Sequence, residues 1–160
     1  MKGHLAAAVV WIGLVAAGTL AFRHYGDRRP DVVASCEGGE VVVPAHRDGH
    51  FYLEGEINGA AVRFLVDTGA TYVAVGPAMA GHAGVTGGSP AVFETAAGQV
   101  MGRVVPKQRA KVACFELPEV TVAVNPGLGE TALLGQNALR RFEVVQTRQA
   151  LRLRWRAGTR

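Results

Sequence analysis

The segment that most constrains this chain places one acidic residue between two apolar runs. Residues 64–66 are apolar, Asp67-Thr68-Gly69-Ala70 follows, and residues 71–75 resume a β-type run. An ionised carboxylate without partners is too costly to bury. Gly69 favours a tight turn, because glycine accepts backbone conformations that side chains resist. The segment therefore predicts a strand, a loop and a second strand, with Asp67 presented on the loop.

The residues before the acid predict a hairpin. Residues 50–57 and 60–66 are two β-type runs separated by Asn58-Gly59. Asn-Gly between such runs is a strong hairpin signal, since both residues tolerate positive φ angles. The second arm runs directly into Asp67, so we expect the hairpin to aim and support the carboxylate.

The rest of the folded region is predicted to consist of short strands with two short helices. The helices are expected at residues 77–83, with Pro77 near the start, and at residues 136–142. A second hairpin is expected around Gly98, with arms at 91–95 and 99–105. Further strands are predicted at 41–43, 112–117, 120–124, 132–134, 143–145 and 151–155. This spacing is typical of a small closed or sandwich-like β domain.

Composition limits the classes of function. At 160 residues the chain is long enough for about one domain. The net charge is +4, and the excess lies at Arg23, Arg28, Arg29 and in the tail from residue 148. These clusters are either solvated flanks or contacts to a membrane surface. No basic stripe is interleaved with aromatic residues, so no nucleic-acid partner is predicted.

The N-terminus carries an uncharged segment at residues 5–22. Its 18 residues are at the lower limit for crossing a bilayer; Trp11 lies inside the run, and Phe22 and Tyr25 lie near its exit, where aromatic residues often sit at the interface. Thr19-Leu20-Ala21 also fits a signal-peptide cleavage site. We predict a membrane anchor or signal segment at 1–24, with the uncleaved transmembrane helix preferred.

The N-terminal segment sets the expected domain organisation and location. A polar linker is predicted at 25–39 and the folded domain at 40–156. Lysine and arginine counts on either side of the segment would place the domain in the cytoplasm. The signal-like start and the two cysteines favour export instead. We therefore expect a single-pass membrane protein whose domain is extracytoplasmic, in the periplasm.

Neither the cysteines nor the histidines form a metal-binding pattern. Cys36 and Cys114 are too few for a disulfide scaffold and wrongly spaced for zinc; one bridge and two free thiols both remain open. His46 and His50 are four residues apart, but Asp48-Gly49 would break a helix that aligned them. No metal and no cofactor are predicted.

A glycine pattern at residues 127–132 offers a different function. Gly127-Leu128-Gly129-Glu130-Thr131-Ala132 matches the G-x-G-x-x-A fingerprint of dinucleotide-binding sites. However, Gly135 interrupts the helix that should follow, and no strand ending in an acid comes about twenty residues later. A turn before a buried segment is the preferred interpretation.

Three features in the same order resemble the retropepsin-like aspartic proteases. The first is Asp67-Thr68-Gly69-Ala70 after two apolar residues. The second is a glycine-tipped hairpin at the position of that family's substrate-covering flap, here Thr95, Ala96, Ala97 and Gly98. The third is an apolar-apolar-glycine segment that packs behind the acid loop in the family, here Leu133, Leu134 and Gly135.

The resemblance covers residues 40–155 or so and is greatest to bacterial single-lobe, membrane-anchored members. Asp48-Gly49-His50 and Ile57-Asn58-Gly59 add to it. It implies a small closed β-barrel-like lobe, all-β, with one short C-terminal helix. It also implies an aspartic endopeptidase that cleaves peptide or protein substrates without a metal or cofactor.

The resemblance further implies a homodimer, because the chain has one Asp-Thr-Gly and the family's chemistry needs two carboxylates. A two-fold axis would bring Asp67 against the partner's Asp67, and the pair would share a proton. Thr68 would bond across the dimer, and Gly69 would offer its backbone to the peptide. The alternative is a non-catalytic dimerisation or peptide-binding module, in which Asp67 is only a turn residue.

Overall fold

The computed structural model describes residues 35–95 and 98–156, together with Trp11, Val15 and Thr19. The chain divides into two compact units, Met1–Asp31 and Val32–Arg160. Trp11, Val15 and Thr19 are helical, and the rest of the predicted anchor at 1–24 lies outside the described residues. Among the residues described, we find no helix whose length and apolar character would carry it across a bilayer.

Within residues 35–95 and 98–156, the larger unit contains eleven strands and two short helices. In chain order they are β1 (Ser35–Glu37), β2 (Glu40–Pro44), β3 (Tyr52–Ile57), β4 (Ala60–Val66), β5 (Val73–Val75), α1 (Pro77–His82), β6 (Ser89–Thr95), β7 (Gly98–Val112), β8 (Phe115–Val124), β9 (Ala132–Leu134), α2 (Gln136–Leu139), β10 (Phe142–Gln146) and β11 (Ala150–Trp155). The predicted Asn58-Gly59 turn joins β3 to β4, with Asn58 at φ 51° and Gly59 at φ 86°. Both arms of that hairpin pair in register from Tyr52↔Leu65 to Ile57↔Ala60.

Six strands close into a barrel. They pair in the order β3, β4, β9, β5, β8 and β7, and β7 returns to β3. The β4–β9 and β5–β8 pairs are parallel and the others are antiparallel. Closure removes the free strand edges that a small open sheet would expose. The predicted closed all-β lobe is therefore confirmed, with β6 added outside the ring as a partner of β7.

The barrel interior is filled by large apolar side chains that alternate along strands such as β4, whereas all three residues of β5 are buried. Its most deeply buried members include Leu53, Ile57, Phe64, Val112, Leu117, Val122 and Leu134. Alternation directs every second side chain inward, as expected where one face of a sheet is buried. The core therefore lies directly beneath the point where β4 and β9 end.

A second sheet has the strand order β1-β2-β11-β10. As predicted, β11 alternates, with Leu151 and Leu153 buried and Arg152 and Arg154 exposed. Both arginines reach Glu40, at 3.2 and 3.5 Å. Short β1 lies inside the predicted linker, so the linker prediction is wrong for residues 35–37.

Cys36 and Cys114 form a disulfide bond, which resolves the open question of their pairing. Cys36 lies on β1, and Cys114 lies in the turn between β7 and β8. The bond therefore joins the second sheet to the barrel across 78 positions of sequence. Pairing with β2 and this bond explain why residues 35–37 are ordered as a strand rather than as linker.

Two predicted element boundaries are wrong. The strands expected at 112–117 and 120–124 are one strand, β8, because the turn lies earlier, at Ala113-Cys114. Ala113 adopts φ 52°, and an irregularity near Pro118 lets the ladder continue past the proline. The helix expected at 136–142 ends at Leu139, since Phe142 is buried as the first residue of β10. The helix predicted at 77–83 is confirmed as α1, which ends one residue earlier, at His82.

Candidate active site

Asp67 lies in the turn between β4 and β5, at the end of the predicted strand. Its backbone N–H donates to the carbonyl of Leu134 at 3.1 Å, which continues the parallel pairing of β4 with β9. The N–H of Gly69 donates to Asp67 Oδ1 at 2.8 Å. Asp67 is half-buried, whereas Thr68 is exposed. The carboxylate is thus held by its own loop and reaches solvent.

No basic side chain within the described ranges forms an ion pair with Asp67 at 4 Å or less. Its anchoring partner is the neutral N–H of Gly69. Because Asp67 is only half-buried, solvent can hydrate the rest of its charge. Among the described residues, this carboxylate is therefore held in position by a backbone bond and has no cationic partner.

The short helix α2 holds the loop from behind through backbone bonds. The N–H of Gln136 donates to Ala70 O at 2.8 Å, and the N–H of Asn137 donates to Thr71 O at 3.0 Å. The side-chain amide of Gln136 donates to Thr68 O at 2.9 Å. The backbone N–H groups of Gln136 and Asn137 belong to the first turn of α2, where backbone N–H groups have no partner within the helix itself. The first residues of α2 therefore hold the loop at three positions, the carbonyls of Thr68, Ala70 and Thr71.

Asn137 connects the loop to the barrel wall. Its buried side chain accepts a bond from the N–H of Val73 at 2.8 Å and donates to the carbonyl of Thr121 at 2.7 Å. Neither Asn137 nor Gln136 is among the site residues predicted from the sequence. The sequence feature that could have identified them is a pair of neighbouring amide side chains at the start of a short helix whose other two residues, Ala138 and Leu139, are apolar.

The predicted support segment lies directly against the loop. Leu133 and Leu134 pair with Leu65 and Val66 in parallel register. A Cβ atom on Gly135 would overlap the carbonyl oxygens of Tyr72 and Ala70. Glycine is therefore the residue that allows α2 to approach the loop this closely.

The predicted flap is the end of the β6–β7 hairpin. Thr95 and Gly98 pair across it, and Thr95 Oγ1 donates to Gly98 O at 2.7 Å. Gly98 has a φ of 108°, which suits glycine. The tip residues, Ala96 and Ala97, lie outside the described residues. Within the described part, no hydrogen bond joins this hairpin to the Asp67 loop.

Comparison with known proteins decides the family. Residues 53–141 match the family described as "gag-polyprotein putative aspartyl protease". The chain belongs to this family of retropepsin-like aspartic proteases. The matched range runs from β3 to the residues after α2, and so includes the Asp67 loop, the β6–β7 hairpin and residues 133–135.

Two relatives come from the genus Rickettsia. A crystal structure of a retropepsin-like aspartic protease from Rickettsia conorii is similar at a TM-score of 0.62 and 26% identity, covering 73% of this chain and 91% of that one. An uncharacterized protein of Rickettsia prowazekii (strain Madrid E) is 32% identical over 75 residues. That match covers 42% of this chain but only 32% of the relative, so the chain spans about a third of that protein.

A polar cluster flanks the retropepsin-like loop on its other side. Val66 N–H donates to Phe51 O at 2.9 Å, so residues 46–50 lie beside the strand that ends at Asp67. Asp48 accepts bonds from His50 N–H and Tyr52 Oη, both at 2.9 Å, and lies 3.0 Å from His46 Nδ1. The backbone N–H of His50, helped by His46 and Tyr52, lowers the pKa of Asp48 to about 2.

The described residues form neither of the two alternative sites considered from the sequence, a histidine metal site and a dinucleotide-binding site. His46 contacts Asp48, and no three potential metal ligands converge anywhere in the described ranges. Residues 127–131 form a loop that leads into strand β9 rather than a helix, so they lack the geometry of a dinucleotide site. The carbonyls of Leu128 and Gly129 pack instead against Gly76, where a Cβ atom would overlap them.

Proposed function

We propose that this chain is an aspartic endopeptidase whose dyad is Asp67 with the partner subunit's Asp67 in a homodimer. One observation carries the proposal: Asp67 is fixed by Leu134 and Gly69, yet it has no counter-ion among the described residues. Membership in the retropepsin-like family supports the protease chemistry. A second carboxylate across a two-fold axis supplies what a single lobe lacks.

The proposed mechanism uses the two carboxylates in different protonation states. Two close carboxylates cannot both ionise easily, so they share one proton and titrate as a pair. The ionised member removes a proton from a water, and that oxygen attacks the scissile carbonyl carbon. The protonated member gives its proton to the carbonyl oxygen. The tetrahedral diol then collapses: the carboxylate that gave up its proton takes one from a hydroxyl of the diol, the C–N bond breaks, and the leaving nitrogen takes the proton held by the other carboxyl.

The surface beside the loop suits a second copy of the chain. A groove of about 320 Å³ begins at exposed Thr68 and continues along α2 and β10. Its walls combine the polar amide of Gln136 with apolar and basic side chains, which are those of Leu139, Phe142, Val144, Arg140 and Arg156. A two-fold contact here would bring both Asp67 loops to one axis, and an extended peptide would lie between them under the two flaps.

The location of the domain is proposed to be extracytoplasmic, with the N-terminal segment attached to the membrane. The Cys36–Cys114 disulfide supports an oxidising compartment such as the periplasm. Both cysteines are exposed, so cytoplasmic reductants would reach the bond.

The test is cleavage of a mixed peptide library by the full chain, with Asp67→Asn and the exposed-acid control Glu116→Gln. Asparagine keeps the shape of the side chain but removes both the acid and the base. We expect wild type and Glu116→Gln to cleave the same bonds, and Asp67→Asn to lose about 10³-fold or more in rate. Cleavage by Asp67→Asn at the wild-type rate would contradict the proposed role, as would a folded, dimeric wild type that cleaves nothing.

A further inference from the structure

A second cleft, of about 230 Å³, lies beside the end of α2; it shares Arg140 with the groove that begins at Thr68, and the proposed peptidase chemistry does not explain its other basic residues. It lies between the bulged part of β7, the middle of β8 and the end of α2. Its lining residues are Tyr72, Pro106, Lys107, Glu119, Val120, Thr121, Asn137, Arg140 and Arg141. The volume is below the range of about 300–1,000 Å³ typical of drug-sized ligands, so it suits a small ion.

The charges around the cleft are unbalanced. Lys107, Arg140 and Arg141 are cationic, and Glu119 is the one acidic residue in the lining. None of the three cations forms an ion pair at 4 Å or less with a carboxylate in the described part of the chain. Arg141 instead donates to the backbone carbonyl of Glu119 at 3.1 Å. The cleft therefore holds a net charge of about +2 that the fold leaves without a partner.

The backbone at Lys107 is held in an unusual conformation. Pro106 and Lys107 form a bulge in β7, because Val105 pairs with Val122 and Gln108 with Val120, which leaves Thr121 opposite both. Lys107 adopts φ 58°, in the left-handed region that favours glycine. Gln108 fixes the bulge through a 2.8 Å bond to Pro106 O. Strain at a residue without glycine's freedom points to a function for the side chain that it positions.

We propose that this cleft binds a phosphate group that carries two negative charges, as a phosphomonoester or free phosphate does. A phosphomonoester has a charge of about −1.5 to −2 at neutral pH, which matches the net charge of the cleft. Two guanidinium groups offer planar forks that fit phosphate oxygens, and a lysine offers a compact third charge. A phosphodiester, with a single charge, fits less well.

The site shares structural elements with the Asp67 loop but not its chemistry. Asn137 and Tyr72 line the cleft, and Asn137 also bonds to Val73 and Thr121. A phosphate that draws Lys107 towards Arg140 would therefore join β7 to the helix that clamps the loop. The inference does not rest on the proposed peptidase activity.

The experiment is calorimetric titration of the full chain, in a neutral detergent at pH 7.5 and constant ionic strength, with inorganic phosphate, phosphoserine and dimethyl phosphate. The variants are Lys107→Gln and Arg140→Gln, and the matched control is Arg148→Gln, an exposed arginine outside the cleft. Circular dichroism checks that each variant is folded, and the two cleft variants come from separate elements, so failure of one leaves the other.

We expect one saturable site for inorganic phosphate or phosphoserine, and at least tenfold weaker binding of dimethyl phosphate. Each cleft variant should raise the Kd by about tenfold or more, and the control should change it less than twofold. Tighter binding of phosphoserine would identify a phosphorylated side chain as the ligand, and tighter binding of inorganic phosphate would identify the free ion. Three results would overturn the inference: no saturation, equal weakening by Arg148→Gln, or equally tight binding of dimethyl phosphate.

Discussion

Gly135 is the residue at which α2 and the Asp67 loop approach each other most closely. A Cβ atom there would overlap the carbonyls of Tyr72 and Ala70. We expect Gly135→Ala to destabilise the fold by about 2–4 kcal/mol, because neither backbone can move without breaking the bonds that α2 makes to the loop. Urea unfolding followed by tryptophan fluorescence measures the change.

Gly81 provides the matched control for that substitution. It lies in α1 and has nothing within 4 Å of an added Cβ atom. Gly81→Ala should stabilise the fold by about 0.5–1 kcal/mol, because alanine is the better helix former. Equal effects of the two substitutions would contradict the packing described around Gly135.

Asp48 gives a pH dependence that can be measured separately. Its pKa is lowered from 3.8 to about 2, chiefly by the N–H of His50. A carboxyl whose pKa is depressed by folding stabilises the native state above its unfolded value, and that stabilisation is lost as the pH falls from about 4 through about 2. Asp48→Asn should therefore lower the Tm at pH 6 and have little effect at pH 2. A loss of the same size at both pH values would show that the charge of Asp48 is unimportant.

At the residue scale, the sequence located Asp67 but not what holds it. An acid between two apolar runs is visible as a local pattern, as is the Asn58-Gly59 turn. The bonds from Asn137 to Val73 and Thr121 join positions 64 and 16 residues apart. No local pattern encodes such contacts, because they arise only once the barrel closes.

At the scale of helices and strands, too, local features were predicted from the sequence and long-range contacts were not. Short-range turn signals predicted the β3–β4 and β6–β7 hairpins, since the turn residues themselves fix those conformations. The β7–β8 turn was predicted at the wrong position. Its positive φ angle occurs at Ala113, and not at a glycine or asparagine, the residues that usually indicate such a turn. The parallel pairing of β4 with β9, on which the position of Asp67 depends, joins segments almost seventy residues apart and was not predicted; the family resemblance implied only that residues 133–135 pack behind the acid loop.

The disulfide between β1 and the β7–β8 turn should be a major contributor to stability. Cys36 and Cys114 close a loop of 78 positions, which by the chain-entropy estimate stabilises the fold by about 4 kcal/mol. Dithiothreitol should lower the Tm of the folded domain by roughly 10–20 °C. The double variant Cys36→Ser/Cys114→Ser should melt at the reduced wild-type temperature, with or without reductant. A wild-type Tm that does not change when dithiothreitol is added would contradict the presence of this disulfide bond.

At the scale of the whole molecule, a single lobe supplies one Asp-Thr-Gly carboxylate, that of Asp67, with an open groove beside it. The family membership covers residues 53–141, and the retropepsin-like fold supports peptide hydrolysis. What one protomer lacks is the second acid, so the proposed activity belongs to an assembly of two copies. The proposed shared dyad predicts that a dimer of one inactive and one active copy has no activity.

The most direct test mixes wild-type chain with Asp67→Asn at a fixed total concentration, after the two have been unfolded and refolded together. If both copies supply one acid each, only wild-type pairs are active, and the initial rate of peptide cleavage follows the square of the wild-type fraction. At equal amounts the rate should fall to about a quarter of the undiluted value. A rate of about one half, in proportion to the wild-type chain present, would show that each protomer acts alone and would contradict the shared dyad.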